Sequence, residues 1–314
     1  MKQERGSILD NMKREAANKK VDLTAALLEL KYNKKRIENE KEYYDEEKDQ
    51  RIILNYYYEI HFNEADKKEL FKQLNQLVTN THGDQLPYNS KTRNYLYSSV
   101  DLQADGSLKS IYSGKEKDPE QVIKEDYEAD WKKEKAYDEW LKSDLKNDSG
   151  IQGAMASIES ENMYNCEHVV PQSWFDKRNP MRGDLHHLFT CEKECNSLRS
   201  NHPYYDFTDY SPKMETEVIK TQCGKYEAAK FEPESGKGEV ARATLYFLLR
   251  YPREISRYSN KDIELLLKWH SDYKVSIYEK HRNKAIFDIQ KNRNPLIDFP
   301  QHADKIDFML GLSE

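Results

Sequence analysis

The residues able to do chemistry are concentrated in one stretch of the chain. Asn165-Cys166-Glu167-His168-Val169-Val170-Pro171 is followed by Asp184-Leu185-His186-His187-Leu188 and then by Asn196-Ser197-Leu198-Arg199-Ser200-Asn201. A carboxylate beside an imidazole, with an amide and a guanidinium further on, can supply a metal ligand, a general base, a second ligand and a phosphate clamp. Those are the parts of a one-metal phosphodiesterase.

Such side chains need elements that aim them at one point. Neighbours in a strand point to opposite faces, so Glu167 and His168 can converge only where a strand ends or bends. Val169 and Val170 favour extended backbone, and Pro171, lacking an amide proton, forces a turn. The polar, proline-broken loop from Asp176 to Gly183 then leads to a predicted returning strand from Leu185 to Thr190. On that strand His186 is assigned to orienting the ligand side chains, and His187, on the opposite face, receives no role. Glu192 to Leu198 has helix-forming composition and sets Asn196 and Arg199 at i and i+3. The planar fork of Arg199 makes it the candidate for binding a phosphate.

These motifs resemble the bacterial endonuclease I family, within the ββα-metal (His-Me finger, HNH-like) nucleases. The resemblance extends to Gly238-Glu239-Val240-Ala241-Arg242-Ala243 with Tyr246 to Tyr251, to Leu267-Lys268-Trp269-His270, to Glu279 with Arg282-Asn283, and to Gln290 with Asn292-Arg293-Asn294-Pro295. It implies a general base at His168 and a metal held by Glu167 and Asn196. Mg²⁺ suits such an oxygen-rich set, with Mn²⁺ or Ca²⁺ as substitutes. It also implies a DNA substrate, with RNA as an extension, cut with little sequence specificity to leave 5′-phosphate and 3′-hydroxyl ends. The rivals are a noncatalytic nucleic-acid- or protein-binding module and a phosphodiesterase acting on a nucleotide second messenger.

Cys166, Cys191, Cys195 and Cys223 all fall in the same region. Four clustered thiols in a reducing compartment favour a structural Zn²⁺ site. Two disulfides, in an exported protein, or independent buried thiols are the alternatives.

The wider chain sets the outer bounds. At 314 residues it is long enough for a sizeable core, and it holds no apolar run able to span a membrane. The charged sequence after Met1 shows no secretory signal, so a cytoplasmic setting is expected, or a secreted or periplasmic one if a leader has been removed. A nuclease inside its own cell would call for an inhibitor or a delivery partner. The net charge of −6 does not exclude a polyanionic partner, because recognition follows local potential. A basic groove around His168 is expected, with the acidic stretches Glu38–Glu47 and Glu116–Asp130 turned away from it.

The overall expectation is an α+β protein with a ββα-metal core, at about residues 160–205, set in a mostly helical body. A charged helical extension is expected over 1–51, a nuclease domain over 52–306 and a tail over 307–314. A strand, a turn at Ala104-Asp105-Gly106 and a second strand are predicted from Val100 to Tyr112. Lys115 to Lys146 reads as a charged helical insert whose Trp131 and Trp140 are expected to serve as packing anchors, with nucleic-acid stacking platforms as the alternative. Arg242 could equally hold the core or contact phosphate.

Overall fold

A computed structural model describes residues 23–63, 65–142, 148–210 and 222–313. Helices α1 (Leu23–Ile37), α2 (Glu40–Tyr43), α3 (Glu46–Tyr56), α4 (Lys67–Asn80) and α5 (Ser90–Tyr95) lead to the short strands β1 (Leu108–Lys109) and β2 (Glu116–Lys117). Then come α6 (Pro119–Lys142), α7 (Asp148–Glu161), β3 (Cys166–His168), β4 (Leu188–Thr190), α8 (Lys193–Arg199), β5 (Gly224–Glu227) and β6 (Lys230–Pro233). Helices α9 (Lys237–Arg250), α10 (Asn260–Asp272), α11 (Ile277–Gln290) and α12 (Pro295–Asp298) complete a mixed, mostly helical α+β fold. The strands pair two by two as antiparallel hairpins.

Helix α9 forms the centre because almost every side chain on it is apolar or paired, and a helix with no polar face has to be enclosed. It is flanked by α4, whose Leu70, Phe71, Leu74 and Val78 repeat at helical spacing, and by α10 with Ile263, Leu266 and Trp269. Asp66 starts α4 by accepting from the amides of Lys68 and Glu69. Gly236, at φ 76°, begins α9, and a Cβ there would lie 2.3 Å from the Ile111 carbonyl oxygen.

A second apolar cluster gathers Ala26, Leu30, Val100, Leu108 and Ile286. The β3–β4 hairpin lies between the two clusters: Leu188 packs into the second and Phe189 into the first, as strand alternation requires.

Three buried arginines tie distant segments together. Arg293 pairs with Asp49 at 2.8 Å and with Asp298 at 2.8 Å. Arg242 donates to both carboxylate oxygens of Glu279, at 2.5 and 3.0 Å, so its role is to hold the core and not to contact phosphate. Arg282 bonds Asp101 and the carbonyls of Leu185 and Leu188, fixing the base of the hairpin. Asn294 caps α12 by accepting from the Leu296 amide, with Pro295 at its first turn.

Several expectations change. Residues 1–22 lie outside the described residues, and the rest of the N-terminal stretch is not one helix. Asn39 and Asp45 accept from nearby amides and restart the chain as α2 and α3. α1 packs on the body through Ala26, Leu30 and Ile37. The predicted strand at Val100 is absent: Leu96–Val100 is a π-helical turn, and the β1 partner lies beyond the turn at Glu116–Lys117. Asp101 is the reason, since its carboxylate is drawn inward to the Thr190 amide at 2.6 Å and to Arg282. The last residues are packed too, with Phe308 in the first cluster.

Candidate active site

The hairpin and helix around His168 are built by local signals. β3 pairs with β4 in the register Cys166↔Thr190, Glu167↔Phe189 and His168↔Leu188. The strand stops at His168, and Pro171 opens a 3₁₀ turn over Gln172–Phe175. Leu185–His187 is itself a 3₁₀ turn, begun by Asp184 accepting from the His186 amide at 3.0 Å, so the returning strand is shorter than predicted. Gly183 is required here: a Cβ would lie 1.8 Å from the Leu86 carbonyl oxygen.

Glu167, His168 and Asn196 line one cleft of about 1210 Å³. Glu167 Oε1 accepts from the Tyr112 hydroxyl at 2.6 Å and lies 3.6 Å from Arg199 Nε. Tyr204 extends the chain, its hydroxyl 2.8 Å from that of Tyr112. Burial pushes the Glu167 carboxyl up to about 7, opposed by Arg199 and by the Tyr112 hydrogen bond. Asn196 uses its Nδ2 to donate to the Cys166 carbonyl at 2.9 Å, which leaves its amide oxygen free of that bond.

His168 is held by its Nε2, 3.0 Å from the Arg182 carbonyl oxygen. A carbonyl only accepts, so Nε2 carries the proton and Nδ1 is the basic nitrogen. The rings of Tyr88 and His187 stand edge-on to it, at 4.7 and 5.5 Å between centroids. Burial, with a further contribution from His187, holds its pKa well below the usual imidazole value. The ring is therefore neutral at physiological pH.

The structure rearranges three expectations about this site. Arg199 does not face a phosphate: it is fully buried, donating to the carbonyls of Val169 at 2.6 Å and Ser200 at 3.0 Å while backing Glu167. His186 touches neither ligand candidate; its ring packs on Tyr246, with Nε2 at 3.4 Å from the Asn292 carbonyl oxygen. His187 is the histidine beside His168, because the 3₁₀ turn replaces the strand alternation used to separate the two.

The four-cysteine zinc site is not formed. Cys195 and Cys223 are joined as a disulfide, and Cys166 and Cys191 are separate buried thiols. Glu192 lies near the bonded pair, but sulfurs committed to each other are not thiolate ligands.

Sequence reasoning did not single out Tyr112, Tyr204 or Gln172. Arg182 lines the cleft as well, its Nε donating to Gln172 at 2.9 Å. Nothing local marks these residues, since Tyr112 reaches Glu167 across 55 positions of sequence.

The cleft is also less basic than expected. Asp126, Asp130 and Glu134 of α6 line it, so part of the acidic stretch faces the site instead of turning away. Arg93 draws it inward, pairing with Asp126 at 3.0 Å and Asp130 at 2.7 Å.

Comparison with known proteins gives this geometry a lineage. The sequence model of the family described as Endonuclease I matches residues 66–301. An extracellular ribonuclease of Bacillus amyloliquefaciens is 33% identical over 162 residues, which is 46% of this chain and 53% of that protein. An extracellular deoxyribonuclease of Aeromonas hydrophila is 29% identical over 152 residues, 42% of this chain and 64% of that protein. A periplasmic deoxyribonuclease of the same organism is 30% identical over 152 residues, covering 42% and 62%. The chain spans about half the length of the Bacillus relatives it matches.

The cytoplasmic expectation is overturned by two findings. These relatives are named as extracellular or periplasmic, and the Cys195–Cys223 disulfide is a bond that persists in oxidising compartments. Among the described residues no helix is long and apolar enough to cross a membrane. With its family model matched over most of its length, the chain belongs to the Endonuclease I family.

Proposed function

We propose that this protein is a divalent-metal-dependent endonuclease that hydrolyses phosphodiester bonds of DNA, and of RNA as well, with little sequence specificity, in an oxidising compartment. The observation that carries the reading is the convergence of Glu167, His168 and Asn196 on one cleft, at the end of a hairpin followed by a helix. That order of elements is the one expected of a ββα-metal core. The deoxyribonuclease and ribonuclease names of the relatives support both polymers as substrates.

The donor set fits a hard cation. One buried carboxylate and one amide oxygen border a cleft roomy enough for water, and hard divalent ions take oxygen ligands of this kind. A cation there would also offset the burial that raises the Glu167 carboxyl. Glu167 and Asn196 would hold Mg²⁺, or Mn²⁺ or Ca²⁺ in its place. When bound, the ion supplies charge stabilisation to the phosphate and to the departing 3′ oxygen.

His168 acts as the general base. With Nε2–H fixed on the Arg182 carbonyl, Nδ1 accepts the proton of the attacking water, and the products carry 5′-phosphate and 3′-hydroxyl ends. Arg199 and Tyr112 position Glu167 from behind. Arg182 is a cation of the cleft within reach of a substrate phosphate.

Incubation with supercoiled plasmid, single-stranded DNA and structured RNA, with Mg²⁺ or with EDTA, tests the reading. Cleavage that EDTA abolishes is expected, and Glu167→Gln and Asn196→Ala should each raise the Mg²⁺ midpoint about tenfold or more. Cleavage that persists in EDTA, or unchanged midpoints in both variants, would reject the ligand assignment.

A further inference from the structure

The cleft has a second side that the chemistry above leaves unused. Helix α6 is anchored by buried Val122, Ile123, Asp126 and Ala129, yet its Tyr127 and Trp131 are 42% and 56% exposed, and both line the same cleft as Glu167, His168 and Asn196. A large aromatic side chain exposed on a core-packed helix forgoes the burial that would stabilise it. The expected anchoring role of Trp131 is therefore not what the fold gives it. Its neighbour is Lys135, whose Nζ lies 5.6 Å from the ring centre.

The charge on this side selects the part of a nucleic acid that can approach. Asp126 and Asp130 are held there by Arg93, Glu159 pairs with Lys177 at 3.1 Å, and Glu134 also lines the cleft. Lys133, the cation α6 itself contributes, sits 3.5 Å from the Tyr164 ring centre. Carboxylates repel a phosphate chain but not the faces or the amino edges of bases. Arg182 and the reacting groups line the same cleft, with Tyr88 lying between Arg182 and Arg93 at 5.0 and 5.5 Å. A strand whose scissile phosphate lies at His168 brings its neighbouring bases within the cleft that Tyr127 and Trp131 line.

We infer that Tyr127 and Trp131 form a stacking platform for unpaired nucleobases next to the scissile phosphate, making single strands the preferred substrate form. The inference rests on the nuclease reading for its substrate class. In a duplex the base faces are already covered by their neighbours, so only an unpaired strand can offer them. Residues four apart on a helix are separated by about 6 Å along its axis, roughly two base steps of about 3.4 Å, so the two rings can receive nearby bases of one strand. Such stacking tolerates any sequence because every base has a π face.

Steady-state cleavage of one short sequence as single-stranded DNA, as RNA and as a DNA duplex provides the test. Trp131→Ala should raise KM on the single strands about tenfold and lower their selectivity over duplex by about the same factor, with Tyr127→Ala acting in the same direction. Trp131→Phe should restore most of the loss. The DNA and RNA arms report which polymer the platform holds more tightly. On an abasic single strand the gap between wild type and Trp131→Ala should close, since phosphate contacts alone remain.

A second readout is independent of turnover. In a His168→Ala background the strand with bases should quench tryptophan fluorescence, the abasic strand should not, and Trp131→Phe should remove the quenching. Equal single-strand KM values for wild type and Trp131→Ala, or quenching that survives Trp131→Phe, would overturn the platform. A protein that quenches in this way but cuts none of the three substrates would instead remove the nuclease reading and leave the platform standing.

Discussion

The two sides of the cleft use their side chains in opposite ways. On the hairpin side, Glu167, Arg199, Tyr112 and Tyr204 are buried and engage one another or backbone carbonyls, so each group fixes the next. On the α6 side the rings of Tyr127 and Trp131 are exposed. A reaction centre must hold its few atoms in place before substrate arrives, and buried hydrogen-bonded networks do so. A surface that binds many sequences is better served by rings whose faces stay open to solvent. On the proposed reading, the contrast separates the part of the cleft assigned to chemistry from the part assigned to receiving substrate.

Variants on the hairpin side should test whether it acts as a unit. The largest effect is expected for His168→Ala, which should lower the cleavage rate by about 10³-fold while oligonucleotide binding and the far-UV spectrum are retained. A rate within about tenfold of wild type would place the base elsewhere. Next is Arg199→Met, which leaves Glu167 buried without its cation. It should cost about 3–5 kcal/mol in urea unfolding, and a cost under about 1 kcal/mol would mean that the pair does not couple. The smallest effect belongs to Tyr112→Phe, which removes one hydrogen bond to Glu167. A loss of about 1.5 kcal/mol in stability, with a few-fold higher Mg²⁺ midpoint, is expected. If Tyr112→Phe matched Arg199→Met, the network would be shared evenly and not centred on the ion pair.

Much of the hairpin side could be read along the chain. Val169, Val170 and Pro171 mark a strand that ends, and the helix-forming composition from Glu192 marks the helix carrying Asn196, because these are signals between near neighbours. The assignments that changed depend on distant contacts or on local geometry finer than a strand pattern. Arg199 was read as a free cation because nothing near it announces that Glu167 and the Val169 carbonyl will enclose it. His186 and His187 exchanged places because Asp184 caps a 3₁₀ turn where an extended strand was predicted. The cysteines were grouped by proximity in sequence, whereas the fold brings Cys223 to Cys195 across 28 positions and leaves Cys166 and Cys191 as free buried thiols. Trp131 was read as a packing anchor in preference to a stacking platform, and the packing of α6 through another face left it exposed.

By itself, the sequence determined the order of the elements and the types of group that could meet at a phosphate, because strand ends, helix starts and side-chain chemistry are properties of short segments. Tertiary structure alone decided which charges are spent on one another, which thiols bond and which aromatics stay exposed. Those outcomes depend on which side chains remain in contact with water once the two cores have closed, and burial is a property of the whole packed chain.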